Sequence, residues 1–180
     1  MMCKVAFSKI KFGSSLATGL LLAFATIFFS GCMKDDSNLD ELAKQQEEAY
    51  YRQLGIDTVI IRDYLAANNI TNFKRVSPGM LYVEQTVGTG VQAQSGNFVK
   101  TIYSLYKLDG TLLQTGPYNF QLGLASAGIA GYQLGVSLLK VGGKSRFYIP
   151  SGLAYGATGS PPDIDPNTVL VFDIELLEAK

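Results

Sequence analysis

Histidine is absent from all 180 residues. That gap removes Ser-His-Asp triads, His–Cys zinc sites and imidazole acid–base catalysis. Cysteine is nearly as scarce: the two present, Cys3 and Cys32, both lie near the N-terminus. An excess of positive charge is lacking too, with 15 Lys and Arg against 15 Asp and Glu, whereas nucleic-acid binding needs a basic surface. Common catalytic signatures are missing as well. No G-x-S-x-G occurs, and "VGGKS" at 141–145 has Leu138 where a phosphate-binding loop requires glycine. The segment also runs from a helical pattern into a strand pattern, the reverse of a phosphate loop, and so reads as a turn. Asp163 and Asp165 stand among Pro161, Pro162 and Pro166, which suits a solvated loop better than a catalytic carboxylate pair. Nothing that remains implies a metal or a cofactor.

The longest apolar run, Leu16 to Phe29, carries no charge and follows Lys4, Lys9 and Lys11. Its fourteen residues make ~21 Å of helix, short of the ~30 Å hydrocarbon core. A basic start, a short apolar stretch and small residues before a break describe a secretory signal peptide. Ser30-Gly31-Cys32 at the break resembles the lipobox of bacterial lipoproteins, with Phe29 where leucine is usual. The resemblance implies removal of residues 1–31 and lipid on Cys32; an ordinary signal peptide or an uncleaved anchor is the alternative. Lys34-Asp35-Asp36 is similar to the lysine-plus-acidic signal of some surface-facing outer-membrane lipoproteins, and reads equally well as a solvated tether. Without the three leader lysines, residues 32–180 hold 12 basic against 15 acidic side chains, a formal charge of −3. With Cys3 removed and Cys32 lipidated, no disulfide is available.

Residues 32–55 are rich in Glu, Gln, Lys and Ala, with too few apolar positions for a packed face. They read as a lipidated tether, flexible or partly helical. A short helical extension follows over 56–79. In "GIDTVIIRDYLAANNI", Ile56, Ile60, Ile61, Tyr64 and Leu65 recur at helical spacing, Asp57 is a candidate N-cap and Asn68-Asn69 a stop. Such a helix must rest its stripe on the following domain or on a second copy of itself, as a homodimer. From Met80 the pattern changes to strands. "MLYVEQTV", "NFVKTIYSLYKL", "YNFQLGL", "SRFYIP" and "TVLVFDIELLEA" are β-branched and aromatic runs, with a hairpin turn at Asp109-Gly110. "IAGYQLGVSLLKV" alone is helical, with Ile129, Tyr132, Val136 and Leu139 on one face. Several antiparallel strands with one helix among them predict an α+β domain, a curved sheet wrapped over a single helix.

"LLKVGGKSRFYIPSGLAYGATGSPP" and "TVLVFDIELLEAK" closely resemble the C-terminal half of FKBP-type peptidyl-prolyl isomerases, in family order and spacing. The agreement continues more loosely through "GTG", the strand with Tyr103, "LDGTLLQTG" and "FQLG", and covers roughly residues 80–180. The resemblance implies an antiparallel sheet of five or six strands curled around one helix, with an apolar pocket between them. It also implies site residues. Tyr155 supplies a hydroxyl to a ligand carbonyl, Ile129 its backbone N–H to a second, and Tyr103 is the wall tyrosine on the long strand. Tyr118 and Phe172 are aromatic walls, Gly128 precedes the helix, and Ile164 lies in the flap. Several positions depart from the family pattern. Tyr132 replaces a tryptophan floor, Leu113 a phenylalanine wall, and Gln114 the aspartate that braces the wall tyrosine. Asp165 replaces the first proline of an Ile-Pro-Pro flap.

The implied reaction suits so unreactive a segment. Rotation about an X-Pro imide faces a barrier of about 20 kcal/mol and takes tens of seconds unaided. No bond breaks and no proton need leave. An apolar pocket disfavours the dipolar planar imide relative to the twisted one, while donors on the flanking carbonyls fix its orientation. The expected partners are proline-containing unfolded or partly folded polypeptides of the cell envelope, and the membrane through Cys32. The expected place is the outer membrane, on its periplasmic or outer face. A catalytically weak FKBP-like binding or chaperone module is the competing reading, because a fold does not guarantee an activity.

Overall fold

The computed structural model describes residues 36–76 and 78–180. The leader, the lipobox with Cys32 and the Lys34-Asp35 pair lie outside them. Contacts divide the chain into two units, Met1–Asp40 and Glu41–Lys180. Of the first, only the start of a helix is described.

That helix, α1, spans Asp36–Ala67, so residues 36–55 are helical throughout and the expected short helix is only its C-terminal part. The cause is propensity. Residues 36–55 contain no β-branched side chain and no proline, and are rich in Ala, Leu, Glu, Gln and Lys, which lose little rotamer freedom in a helix. Residues 38–49 are exposed all round, so nothing in an apolar pattern announces them. Asp57 is not an N-cap: it lies deep inside the helix and is completely buried. The inward stripe therefore runs through half-buried Tyr50 and Leu54 to buried Asp57, Ile61 and Leu65, and leaves Ile56 and Ile60 exposed. The helix stops where expected. Asn69 adopts φ 56°, and the Ile70 N–H closes back onto the Leu65 carbonyl at 2.9 Å.

Six strands follow: β1 Lys74–Val76, β2 Met80–Thr86, β3 Phe98–Lys107, β4 Leu112–Gln121, β5 Lys144–Ile149 and β6 Leu170–Ala179. They form one antiparallel sheet in the order β1-β2-β5-β6-β3-β4. β1 is a three-residue edge strand with no buried face, too short for alternation to reveal. β4 begins earlier and ends sooner than "YNFQLGL" suggests, taking in Pro117 and stopping at Gln121. A proline is tolerated there because β4 is the opposite edge, with one side free of ladder bonds. β3 and β4 join through the expected turn, where Asp109 Oδ1 accepts from the Thr111 N–H at 2.9 Å.

Between β4 and β5 lies the second helix, α2, Ala130–Ser137. Tyr132, Val136 and Leu139 point into the sheet beside Phe147, Leu170, Phe172, Ile174 and Leu176, all buried. Each such side chain contributes about 1.5–3 kcal/mol of burial. Gly131 makes the close approach possible: a Cβ there would run into Ile149 and lie 3.0 Å from the Leu153 carbonyl. The other face of the sheet carries a second apolar cluster, in which Ile61 and Leu65 of α1 meet Leu81, Tyr148, Val169 and Val171. The stripe of α1 thus rests on its own domain. No described helix is long and apolar enough to cross a membrane.

Candidate active site

The curled sheet leaves a cleft of about 190 Å³ between the inner face of β3, β4 and β6 and the start of α2. Tyr103, Leu105, Gln114, Tyr118, Gly128, Ile129, Tyr132, Tyr155 and Phe172 line it. Alternation places the strand residues: Tyr103 and Leu105 face inward two apart on β3, and the β3–β6 register sets Leu105 opposite Phe172. Tyr132 lies at the bottom, 3% exposed. Its ring meets those of Tyr103, Phe172 and Tyr118 edge-on, at centroid distances of 5.6, 5.4 and 5.9 Å. These edge-to-face contacts make a stiff aromatic cup.

A buried tyrosine brings a hydroxyl that needs a partner. Thr101, fully buried on β3, provides it at 2.7 Å. Thr101 Oγ1 has a single proton and donates it to the Tyr118 carbonyl at 2.7 Å. The Tyr132 hydroxyl must then be the donor to Thr101. Burial pushes the Tyr132 phenol far above its ordinary value, with the Tyr103 and Tyr118 rings adding to the effect. Tyr103 is raised too, first by burial and then by Tyr155 and Tyr118. Both stay neutral hydrogen donors across the physiological range.

Two donors at the cleft have no acceptor among the described residues, the Ile129 N–H and the Tyr155 hydroxyl. Ile129 has extended backbone (φ −66°, ψ 148°) and caps α2, and no acceptor among the described residues takes its N–H. Tyr155 is more than a third exposed, at the mouth. It follows a 3-10 turn, Ser151–Leu153, that continues β5 past Pro150. Gln133 of α2 holds the approach to Ile129: its side-chain oxygen accepts from the Gly123 N–H, and its amide donates to the Leu124 and Gly128 carbonyls.

Of the ten pocket residues expected from sequence, the cleft brings together Tyr103, Gln114, Tyr118, Gly128, Ile129, Tyr132, Tyr155 and Phe172. Leu113 and Ile164 do not line it. Leu113 is the unpaired residue of a bulge between Gln114 and Leu112, half-buried against the core. Ile164 is buried in the main core, exchanging backbone hydrogen bonds with Ser160. Gln114 reaches the rim and makes no hydrogen bond to Tyr103 among the described residues. Asp163 and Asp165 are exposed, as a solvated loop requires. Leu105 was missed, although its period-2 spacing from Tyr103 marks it as inward. Chemically, the lining carries phenols, one amide and apolar surface. It is equipped to orient an uncharged group, with no carboxylate, amine or imidazole for proton transfer.

A half-open antiparallel sheet holding one short helix, with an aromatic cup between them, leaves a cleft with the shape and lining for a small uncharged group. The sequence profile described as FKBP-type peptidyl-prolyl cis-trans isomerase matches residues 89–177. FK506-binding protein 4 of Dictyostelium discoideum is 39% identical over 102 residues, covering 55% of this chain and 28% of that protein. The FKBP-type isomerase FkpA of Aeromonas hydrophila is 35% identical over 150 residues, covering 79% and 53%. The crystal structure of a peptidyl-prolyl cis-trans isomerase from Pseudomonas syringae superposes with a TM-score of 0.60 at 31% identity, covering 72% of this chain and 95% of that one. The chain belongs to the FKBP-type peptidyl-prolyl cis-trans isomerase family. It spans between about a quarter and about a half of the length of the curated relatives it matches.

Proposed function

We propose that the chain accelerates rotation about X-Pro bonds in exported polypeptides, without an acid–base or covalent step. The observation that carries the reading is the cleft itself: a largely apolar aromatic cup, with the Tyr155 hydroxyl and the Ile129 N–H without hydrogen-bond partners among the described residues. A proline ring enters the cup formed by Tyr103, Tyr118, Tyr132 and Phe172. Tyr155 and Ile129 then donate to the flanking carbonyls, and the imide twists in surroundings that do not favour its planar dipole. A proline-limited refolding assay tests this. Tyr155→Phe is expected to lower kcat/KM by roughly 5- to 30-fold, the equivalent of one lost hydrogen bond of ~1–2 kcal/mol, with folding unchanged.

A second reading is favoured by Gln114, which does not brace Tyr103 as an aspartate would. In that reading the chain binds unfolded polypeptides with negligible turnover. Wild-type protein that retains unfolded clients without exceeding the spontaneous rate selects it. We also place the protein in the cell envelope, at the outer membrane, through lipid on Cys32. Incorporation of radiolabelled lipid that survives Cys32→Ala refutes the anchor. The exposed Ile56, Val59 and Ile60 on α1 are the surface a homodimer would use, and sedimentation of the full chain decides whether it forms.

A further inference from the structure

We propose that Asp57 of α1 is a positioning residue for the cleft, acting through the segment that carries Tyr155. The inference rests on the isomerase reading and adds to it a dependence on the N-terminal helix. Asp57 is fully buried. Its Oδ2 accepts from the Ser151 backbone N–H at 2.7 Å and from Ser151 Oγ at 2.6 Å, and its Oδ1 from Gln53 Nε2 at 2.7 Å. All three donors are neutral. A buried carboxylate is costly unless its lone pairs are filled, so an apolar residue would suit this place better if it served packing alone.

Ser151 opens the 3-10 turn that leads through Leu153 and Ala154 to Tyr155. Two close approaches grip the same turn. A Cβ on Gly152 would lie 2.6 Å from Tyr50 Cε2, so the ring from α1 lies directly on its backbone. On the other side the Leu153 carbonyl packs on Gly131 in the first turn of α2. The turn is therefore held between α1 and α2. Asp57 holds its Ser151 end, while Leu153, at the end that leads into Tyr155, abuts the helix that Ile129 caps. Asp57 supplies the directional bonds of this grip, and a displacement of about 1 Å in catalytic geometry costs up to ~10²-fold in rate.

The test compares Asp57→Ala, Asp57→Asn, Ser151→Ala and the double variant Asp57→Ala/Ser151→Ala in the full chain. Circular dichroism confirms folding of each. Three readouts are taken at about 10 °C, where uncatalysed rotation is slow: kcat/KM on a Leu-Pro tetrapeptide, affinity for that peptide, and the Ile129 and Ala154 methyl signals by NMR. Asp57→Ala is expected to lower kcat/KM about tenfold, weaken binding and displace both signals. Asp57→Asn, which keeps one acceptor oxygen, restores part of each, and the double variant is no worse than Asp57→Ala. A fall in thermal stability with all three readouts unchanged overturns the proposal and leaves Asp57 a packing residue. Should Asp57→Ala fail to fold, unchanged readouts in Asp57→Asn and Ser151→Ala overturn it equally. Wild-type protein that binds the peptide without isomerising it refutes the isomerase reading alone, because affinity and methyl signals still report on Asp57.

Discussion

Replacing Thr101 by valine tests the hydroxyl chain beneath the pocket. Thr101 is fully buried and Tyr132 nearly so. Thr101→Val keeps the shape but removes the acceptor for the Tyr132 hydroxyl and the donor to the Tyr118 carbonyl. A buried donor left without a partner costs ~1–3 kcal/mol. Tyr132→Phe costs less, ~0.5–1.5 kcal/mol, because Thr101 still donates to Tyr118 and no polar hydrogen is stranded. In the double variant the stranded hydroxyl is gone, and only a carbonyl with one lone pair unfilled remains, a tolerated state. The double variant is therefore more stable than the sum of the two singles predicts, by about 1 kcal/mol. Urea denaturation of the four proteins measures this, with a Tm change of roughly 2–4 °C per kcal/mol expected in parallel. If Thr101→Val is no more destabilising than Tyr132→Phe, or if the two add within ~0.5 kcal/mol, the assignment of Tyr132 as donor is wrong.

Three further outcomes follow from the same geometry. Tyr132→Trp restores the family's usual floor and is expected to keep or raise the isomerisation rate. It also crowds Phe120 and Phe172, at 5.8 and 5.4 Å, so stability falls by ~1–3 kcal/mol; a marked loss of rate would show that Tyr132 is not the floor. Because the lining has no titratable group but phenols, and burial raises those of Tyr103 and Tyr132, kcat/KM should stay flat from about pH 6 to 9. A bell-shaped profile would contradict this. Glu178 accepts from Lys100 and Lys180, each at 2.8 Å, and these bonds hold its carboxyl down to about 2 from 4.5. Its contribution is complete above the unfolded value and lost as pH falls towards 2, so wild type and Glu178→Gln differ in Tm at neutral pH and converge in acid. The pair is exposed, so the gap is small, and ~0.5 M salt should close it.

The C-terminal half was legible because its signals are local. Leu170, Phe172, Ile174 and Leu176 alternate on one strand, Tyr132, Val136 and Leu139 repeat at helical spacing, and each period predicted the buried face. The aromatic cup was legible from motif order, since three strands, one helix and the turn after β5 bring its residues together in the way the family's spacing implies. What escaped was non-local or unpatterned. Residues 38–49 of α1 are exposed on every side, so propensity alone makes them helical. Asp57 looked like a cap because aspartate before an apolar stripe commonly is one. Its partner, Ser151, lies 94 residues away, and no spacing within the helix points to it. Leu113 was displaced by a bulge, which shifts register by one and turns a side chain from the cleft.

On the proposed function, the proline in β4 has a consequence for how an unfolded chain would be handled. A free strand edge is a template on which any extended polypeptide can lengthen the sheet. β4 is such an edge and carries Tyr118, a wall of the cleft, so a polypeptide bound in the cleft would lie close to it. Pro117, next to that tyrosine, offers no N–H. A polypeptide laid along β4 meets a missing rung beside the pocket. The edge is thereby biased against capture by backbone pairing, which would hold a client far longer than one bond rotation requires.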